Sequence, residues 1–121
     1  KRPDLLCAVP MTRRALRRRG LNQSAFIARL VSRKLGIPVK ISVLKKVRDT
    51  DQQSTLSARK RRKNLIKAFY CKQRLDGQHI ALVDDILTTG ATANEISKIL
   101  KAAGAARVDI WVCARTGNAS D

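Results

Sequence analysis

The sequence predicts an α/β domain with a mostly parallel central sheet flanked by helices. Three observations carry this. Short apolar runs at residues 5–9, 80–83 and 107–114 have the length of buried strands. Two segments of helical period lie between them, and each is closed by a glycine, Gly36 and Gly104. The resulting order is strand, helix, strand, hairpin-like pair, helix, strand, from which crossover connections build a parallel sheet.

In chain order, residues 5–9 form a first strand stopped by Pro10. Asn22 or Ser24 can cap a helix in which Phe26, Ile27, Leu30, Val31 and Leu35 share one face, ended by Gly36 and Pro38. Residues 39–47 alternate well enough for a second strand. Residues 48–63 have Leu56 as almost their sole apolar side chain and read as a loop or a short solvated helix capped by Ser57. A short strand at 68–71 turns at Asp76-Gly77 into the central strand, 80–83. A helix with Ile96, Ile99, Leu100 and Ala103 inward and Gly104 as C-cap leads to the last strand, 107–114. Residues 116–121 are polar and read as a flexible tail.

A chain of 121 residues, 44% hydrophobic, makes one domain over 1–121. It has no apolar run long enough to span a bilayer and no signal-peptide core, so no membrane insertion is expected. Cys7, Cys71 and Cys113 form no Cys-x-x-Cys pair, and His79 has no ligand at helical spacing. Reduced thiols, no zinc in this chain and a cytoplasmic location are therefore expected. The outlier is charge: 26 Lys and Arg stand against 9 Asp and Glu, a net +17. So large an excess points to a polyanionic partner, nucleic acid first. With only four Phe, Trp and Tyr residues, base stacking is limited.

The chemistry concentrates between His79 and Thr92. Asp84 and Asp85 are expected directly at the end of the central strand. Thr88, Thr89, Gly90, Ala91 and Thr92 then form a small, hydroxyl-rich turn before a helix. In open α/β sheets a ligand sits where a strand's carboxyl end turns into a helix, whose first amides attract a phosphate. The acids cannot face that anion cheaply, so they should face hydroxyls or a cation. A sugar phosphate with vicinal hydroxyls satisfies both ends. A Walker B strand also ends in acids, but the chain has no GxxxxGK[ST] loop.

The run from Ile80 to Thr92, IALVDDILTTGAT, resembles the phosphoribosyl pyrophosphate (PRPP) loop of type I phosphoribosyltransferases. Arg18-Arg19-Gly20-Leu21-Asn22-Gln23 is similar to the RRGFNQ signature of the ComF/GntX family, with Leu21 in place of the usual Phe. Thr50, Gln53, Leu56, Ser57, Arg61 and Asn64 reproduce that family's T-x-x-Q-x-x-L-S-x-x-x-R-x-x-N spacing. Three motifs in order extend the resemblance from Val9 to Arg115.

The resemblance implies a type I phosphoribosyltransferase-like fold and a link to DNA uptake or use in natural competence. It implies that Asp84 and Asp85 hold the ribose hydroxyls and help to place Mg²⁺, and that residues 88–92 bind the 5-phosphate. It also implies a pyrophosphate end or closing loop at Met11, Thr12, Arg13, Arg48 and Arg61. Family members carry an N-terminal zinc ribbon and a hood over the site. This chain opens on Lys1-Arg2-Pro3 without either, so it is expected to be the C-terminal part of a longer protein. Two readings stay open: a PRPP-dependent transferase of unidentified acceptor, and a non-enzymatic module binding DNA or a competence protein. Arg17, Arg18, Arg19, Arg59, Lys60, Arg62 and Lys63 would face the nucleic acid. A homodimer is expected only by analogy with type I relatives.

Overall fold

The computed structural model describes residues 2–48, 59–60, 67–87 and 90–115. Expectations on Thr88, Thr89, Arg61, Arg62, Lys63, the 50–64 motif and the 116–121 tail lie outside the described residues.

The elements run β1 (Leu5–Ala8), α1 (Arg13–Arg19), α2 (Gln23–Leu35), a 3₁₀ turn (Ile41–Val43), β2 (Leu44–Lys46), β3 (Phe69–Cys71), β4 (His79–Leu87), α3 (Ala91–Ala102) and β5 (Arg107–Arg115). β1, β4 and β5 form a parallel sheet in that order, with Leu5 opposite Ile80 and Ile80 opposite Val108. Val39 joins the far side of β1 through a parallel bridge to Leu6. β2 and β3 pair separately, antiparallel.

Alternation along the strands makes two faces. Leu5, Cys7, Ile80 and Leu82 pack with Ala93, Ile96 and Leu100 of α3 and with Leu44 and Phe69 of the small sheet. Ala8 and Val83 point the other way, against Ala25 and Ala28 of α2. Full burial of a side chain such as Leu82 or Ile96 contributes roughly 1.5–3 kcal/mol. The two helices thus cover opposite faces. From β1 the chain crosses over α2 to Val39 on one side; from β4 it crosses over α3 to β5 on the other. The direction of winding reverses between β1 and β4, and the carboxyl ends of strands at such a switch point are where open α/β sheets hold ligands.

Several elements differ from expectation. β4 continues through both acids to Leu87 because β5 pairs with it that far, Leu87 opposite Arg115. Asp84 and Asp85 therefore lie within the strand, not beyond it. α2 buries Ser24, Ala25 and Ala28, whereas Phe26, Leu30 and Leu35 are exposed. Small residues let the helix lie close to Ala8 and Val83, and that contact wins over the larger apolar face. Only Val39 of the expected 39–47 strand pairs with β1 before the 3₁₀ turn diverts the chain. β3 pairs with β2 rather than hairpinning onto β4. The C-cap of α3 is Ala103, one residue before Gly104, whose φ is 109°. Helix α1 was not expected; Thr12 caps its start and Gly20, in the left-handed region, closes it.

Candidate functional site at the parting of β1 and β4

The last ladder bond between the two strands runs from Val9 N to Val83 O, 3.0 Å. Continuing the parallel pattern would join Asp85 N to Val9 O. The N-terminus of α2 takes those two groups instead. Asn22 Nδ2 donates to Val9 O at 3.3 Å, and Asp85 N donates to Ser24 Oγ at 3.1 Å. Asn22 Oδ1 meanwhile accepts from Ala25 N at 3.1 Å, so one side chain caps the helix and seals the strand end. The Ser24 hydroxyl also lies 3.5 Å from Asp85 Oδ1, the long limit of a hydrogen bond.

The two acids consequently have different surroundings. Asp85 has the parity of Val83 and meets α2. Asp84, 9% exposed and opposite Val112 on β5, takes the parity of Leu82 on the α3 face. Beyond β4, Gly90 is the N-cap of α3 with φ 80°, a left-handed conformation that favours glycine. It has no side chain to cap the helix, and the first turn of α3 holds no acid. Backbone N–H groups therefore start at the carboxyl end of the strand that carries both carboxylates. Ala91 and Thr92 are partly buried there.

Among the other expected residues, Thr12 is buried and its hydroxyl accepts from Ala15 N at 3.0 Å as the α1 cap. Met11 is partly buried beside it, and Arg13 is exposed. Arg17, Arg18 and Arg19 are exposed in the last turn of α1, where cations also suit the helix carboxyl end. Arg48, Arg59 and Lys60 are exposed. No acid lies between Asp4 and Asp49 in the sequence, so α1 and α2 carry cations and no acidic side chain of their own.

Sequence reading missed two features. Ser24 was visible only as an alternative helix cap; its partner lies 61 residues away. At the opposite end of the sheet, His79 Nε2 sits 2.7 Å from Asp109 Oδ2, whose other oxygen accepts from Arg107 Nε at 3.0 Å. The hydrogen bond from His79, then that from Arg107, holds the Asp109 carboxyl below its ordinary range. The alignment of His79 with Arg107 across β4 and β5 creates this cluster, and no spacing in the chain announces it. Among the described residues, no three His, Cys, Asp or Glu side chains gather as a metal site. Cys7 is buried, and burial pushes its thiol up to about 12. Cys113, though it falls in the apolar run of β5, is exposed.

A parallel sheet whose switch point carries paired acids and a glycine-led helix start defines the class of α/β domains with a crevice at the strand ends. Residues 21–120 match the family described as the phosphoribosyl transferase domain, and the chain belongs to that family. It is 40% identical over 118 residues to competence protein F of Haemophilus influenzae, covering 95% of this chain and 52% of that protein. It is also 40% identical over 114 residues to DNA utilization protein YhgH of Escherichia coli K12, covering 94% of this chain and 50% of that protein. The chain thus spans about half the length of these relatives. The ComF resemblance read in the motifs agrees with them. Among solved structures, a purine phosphoribosyltransferase from Pyrococcus horikoshii superposes with a TM-score of 0.56 at 17% identity, covering 94% of this chain and 71% of that one. A hypoxanthine phosphoribosyltransferase from Staphylococcus aureus gives 0.58 at 14% identity, covering 96% and 64%. These two likenesses establish the type I fold.

Proposed function

We propose that this domain binds PRPP at the crevice between β1 and β4, as the phosphoribosyl-binding half of a ComF-type protein of DNA utilisation. One observation carries the reading: the strand bearing Asp84 and Asp85 runs into a glycine-led helix start at the point where the sheet reverses its winding. The 5-phosphate takes the amides and hydroxyls of Thr88, Thr89, Gly90, Ala91 and Thr92, and the carboxylates take the ribose hydroxyls. The donor set suits Mg²⁺, which binds through one or two carboxylates plus substrate phosphates rather than in a protein cage. Bound there, Mg²⁺ would neutralise the charge of the departing pyrophosphate.

Transfer breaks the bond from the anomeric carbon to pyrophosphate, leaving an oxocarbenium-like ribose. This needs positioning and fixed dipoles more than a strong base. The chain's own contribution is to orient the sugar from the acids and the phosphate from α3. Met11, Thr12 and Arg13, at the exit of β1, are assigned to the pyrophosphate end. Arg48 and Arg61 are assigned to closing over it.

A second reading, a nucleic-acid-binding module, is favoured by the exposed Arg17, Arg18 and Arg19 in an acid-free stretch. The name DNA utilization protein, borne by a relative, accords with it. Calorimetric titration of PRPP with Mg²⁺ tests the first reading. Saturable binding that is lost in Asp84→Asn/Asp85→Asn supports it; no binding at millimolar PRPP overturns it and leaves the second.

A further inference from the structure

We propose that Ser24 is a positioning residue for Asp85, an inference that rests on the PRPP reading of the crevice. The hydroxyl sits in the first turn of α2, 4% exposed, yet serves another element. It accepts from Asp85 N at 3.1 Å and reaches Asp85 Oδ1 at 3.5 Å. A hydroxyl has one proton and two lone pairs, so it can do both at once. Backbone and carboxylate of the same acid are thereby held from one point.

The need for such an interaction follows from the topology. A crevice forms only because β1 and β4 separate, and separation removes the ladder bond that would have fixed Asp85 N. A part-buried backbone donor that has lost its ladder partner needs another acceptor. Ser24 supplies it, and Asn22 supplies the donor for Val9 O. Alanine would be the better helix former at position 24, and its neighbours Ala25 and Ala28 show that small apolar side chains suit this packing. The hydroxyl therefore has a purpose beyond the helix. It also brings the Asp85 carboxylate to the positive end of α2, whose first turn contains no acid.

This accounts for the arrangement of the acids. Asp85 is ordered from the α2 side before any ligand arrives. Asp84 lies on the other face of β4 and is buried.

The test compares wild type, Ser24→Ala and Ser24→Thr for PRPP–Mg²⁺ affinity by calorimetry, with hydrogen exchange of the Asp85 amide and the unfolding midpoint measured on the same proteins. Removing a hydrogen bond to a charged group predicts affinity weakened about tenfold in the Ala variant. The Thr variant, which keeps the hydroxyl, should bind within about threefold of wild type. The Asp85 amide should exchange faster in the Ala variant alone. Wild-type binding with an unaltered Ala variant overturns the role of Ser24 and leaves the PRPP reading standing. Equal losses in the Ala and Thr variants also overturn it, by pointing to volume rather than the hydroxyl. Absence of binding by wild type overturns the PRPP reading itself, and this inference with it.

Discussion

His79 and Asp109 meet across the amino-terminal ends of β4 and β5, Nε2 to Oδ2 at 2.7 Å, far along the strands from the crevice. Asp4 joins them: its carboxylate accepts from His79 N at 2.8 Å, tying the entry of β1 to the same point. The cluster ties β1, β4 and β5 together at one end of the sheet, which makes it a stability element.

Because the Asp109 carboxyl is held below its ordinary value, folding favours its ionised form. That contribution is present above the unfolded value, near pH 4, and is lost as pH falls through the folded value. Asp109→Asn should lower the thermal midpoint at pH 7 and give a shallower decline toward pH 3 than wild type. Thermal unfolding followed by circular dichroism across that range measures both.

Gly20 and Gly104 should respond differently to alanine. Both have positive φ, 79° and 109°, but a Cβ on Gly20 meets nothing within 4 Å. One on Gly104 would overlap the Asp76 carboxylate at the turn into β4. Gly20→Ala is expected to cost about 1 kcal/mol from backbone conformation alone, and Gly104→Ala more. Urea denaturation of the two variants ranks them; equal costs would contradict the packing described.

The three thiols should label in the order of exposure. Cys113 is exposed and Cys71 partly so, while Cys7 is buried with its thiol pushed up to about 12. A thiol reagent added near neutral pH should modify Cys113 first and Cys7 only after unfolding. Mass spectrometry of a labelling time course shows the order directly.

If the exposed arginines of α1 face nucleic acid, Arg17→Ala/Arg18→Ala/Arg19→Ala should weaken binding to all sequences alike. The slope of log affinity against log salt should fall by roughly 0.7–0.9 for each phosphate that is no longer neutralised. PRPP affinity, set in the crevice, should stay within about twofold. A slope unchanged in the triple variant would remove α1 from the interface.

Much of the fold was legible because it rests on local signals. The apolar runs of β1, β4 and β5, the Asn22 cap and the Gly36 stop all act within a few residues. Of the candidate site, the sequence showed the two acids and the glycine ahead of α3, since these are contiguous in the chain. What was not legible depends on partners brought from elsewhere in the chain. The length of β4 is set by β5, the inward face of α2 by the small residues opposite it, and the purpose of Ser24 by a strand 61 residues on. Periodicity ranks side chains by size and polarity. It does not say which face another element approaches closely, and here close approach favoured Ala25 and Ala28 over Phe26 and Leu30.

The position of β4 between β1 and β5 has a consequence for how the protein is made. β1 is translated before the rest of this domain's sheet, and its neighbour β4 follows some seventy residues later, an interval of several seconds at about 5–20 residues per second. Until then Leu6, Ala8, Ala25 and Ala28 have no β4 to cover, and the basic helices α1 and α2 precede the scaffold that orients them. Nascent chains arrested before Leu82 should therefore remain open to protease, and those released after β5 should resist it. Synthesis of this domain therefore passes through a stage in which a cationic, half-packed segment waits for its central strand.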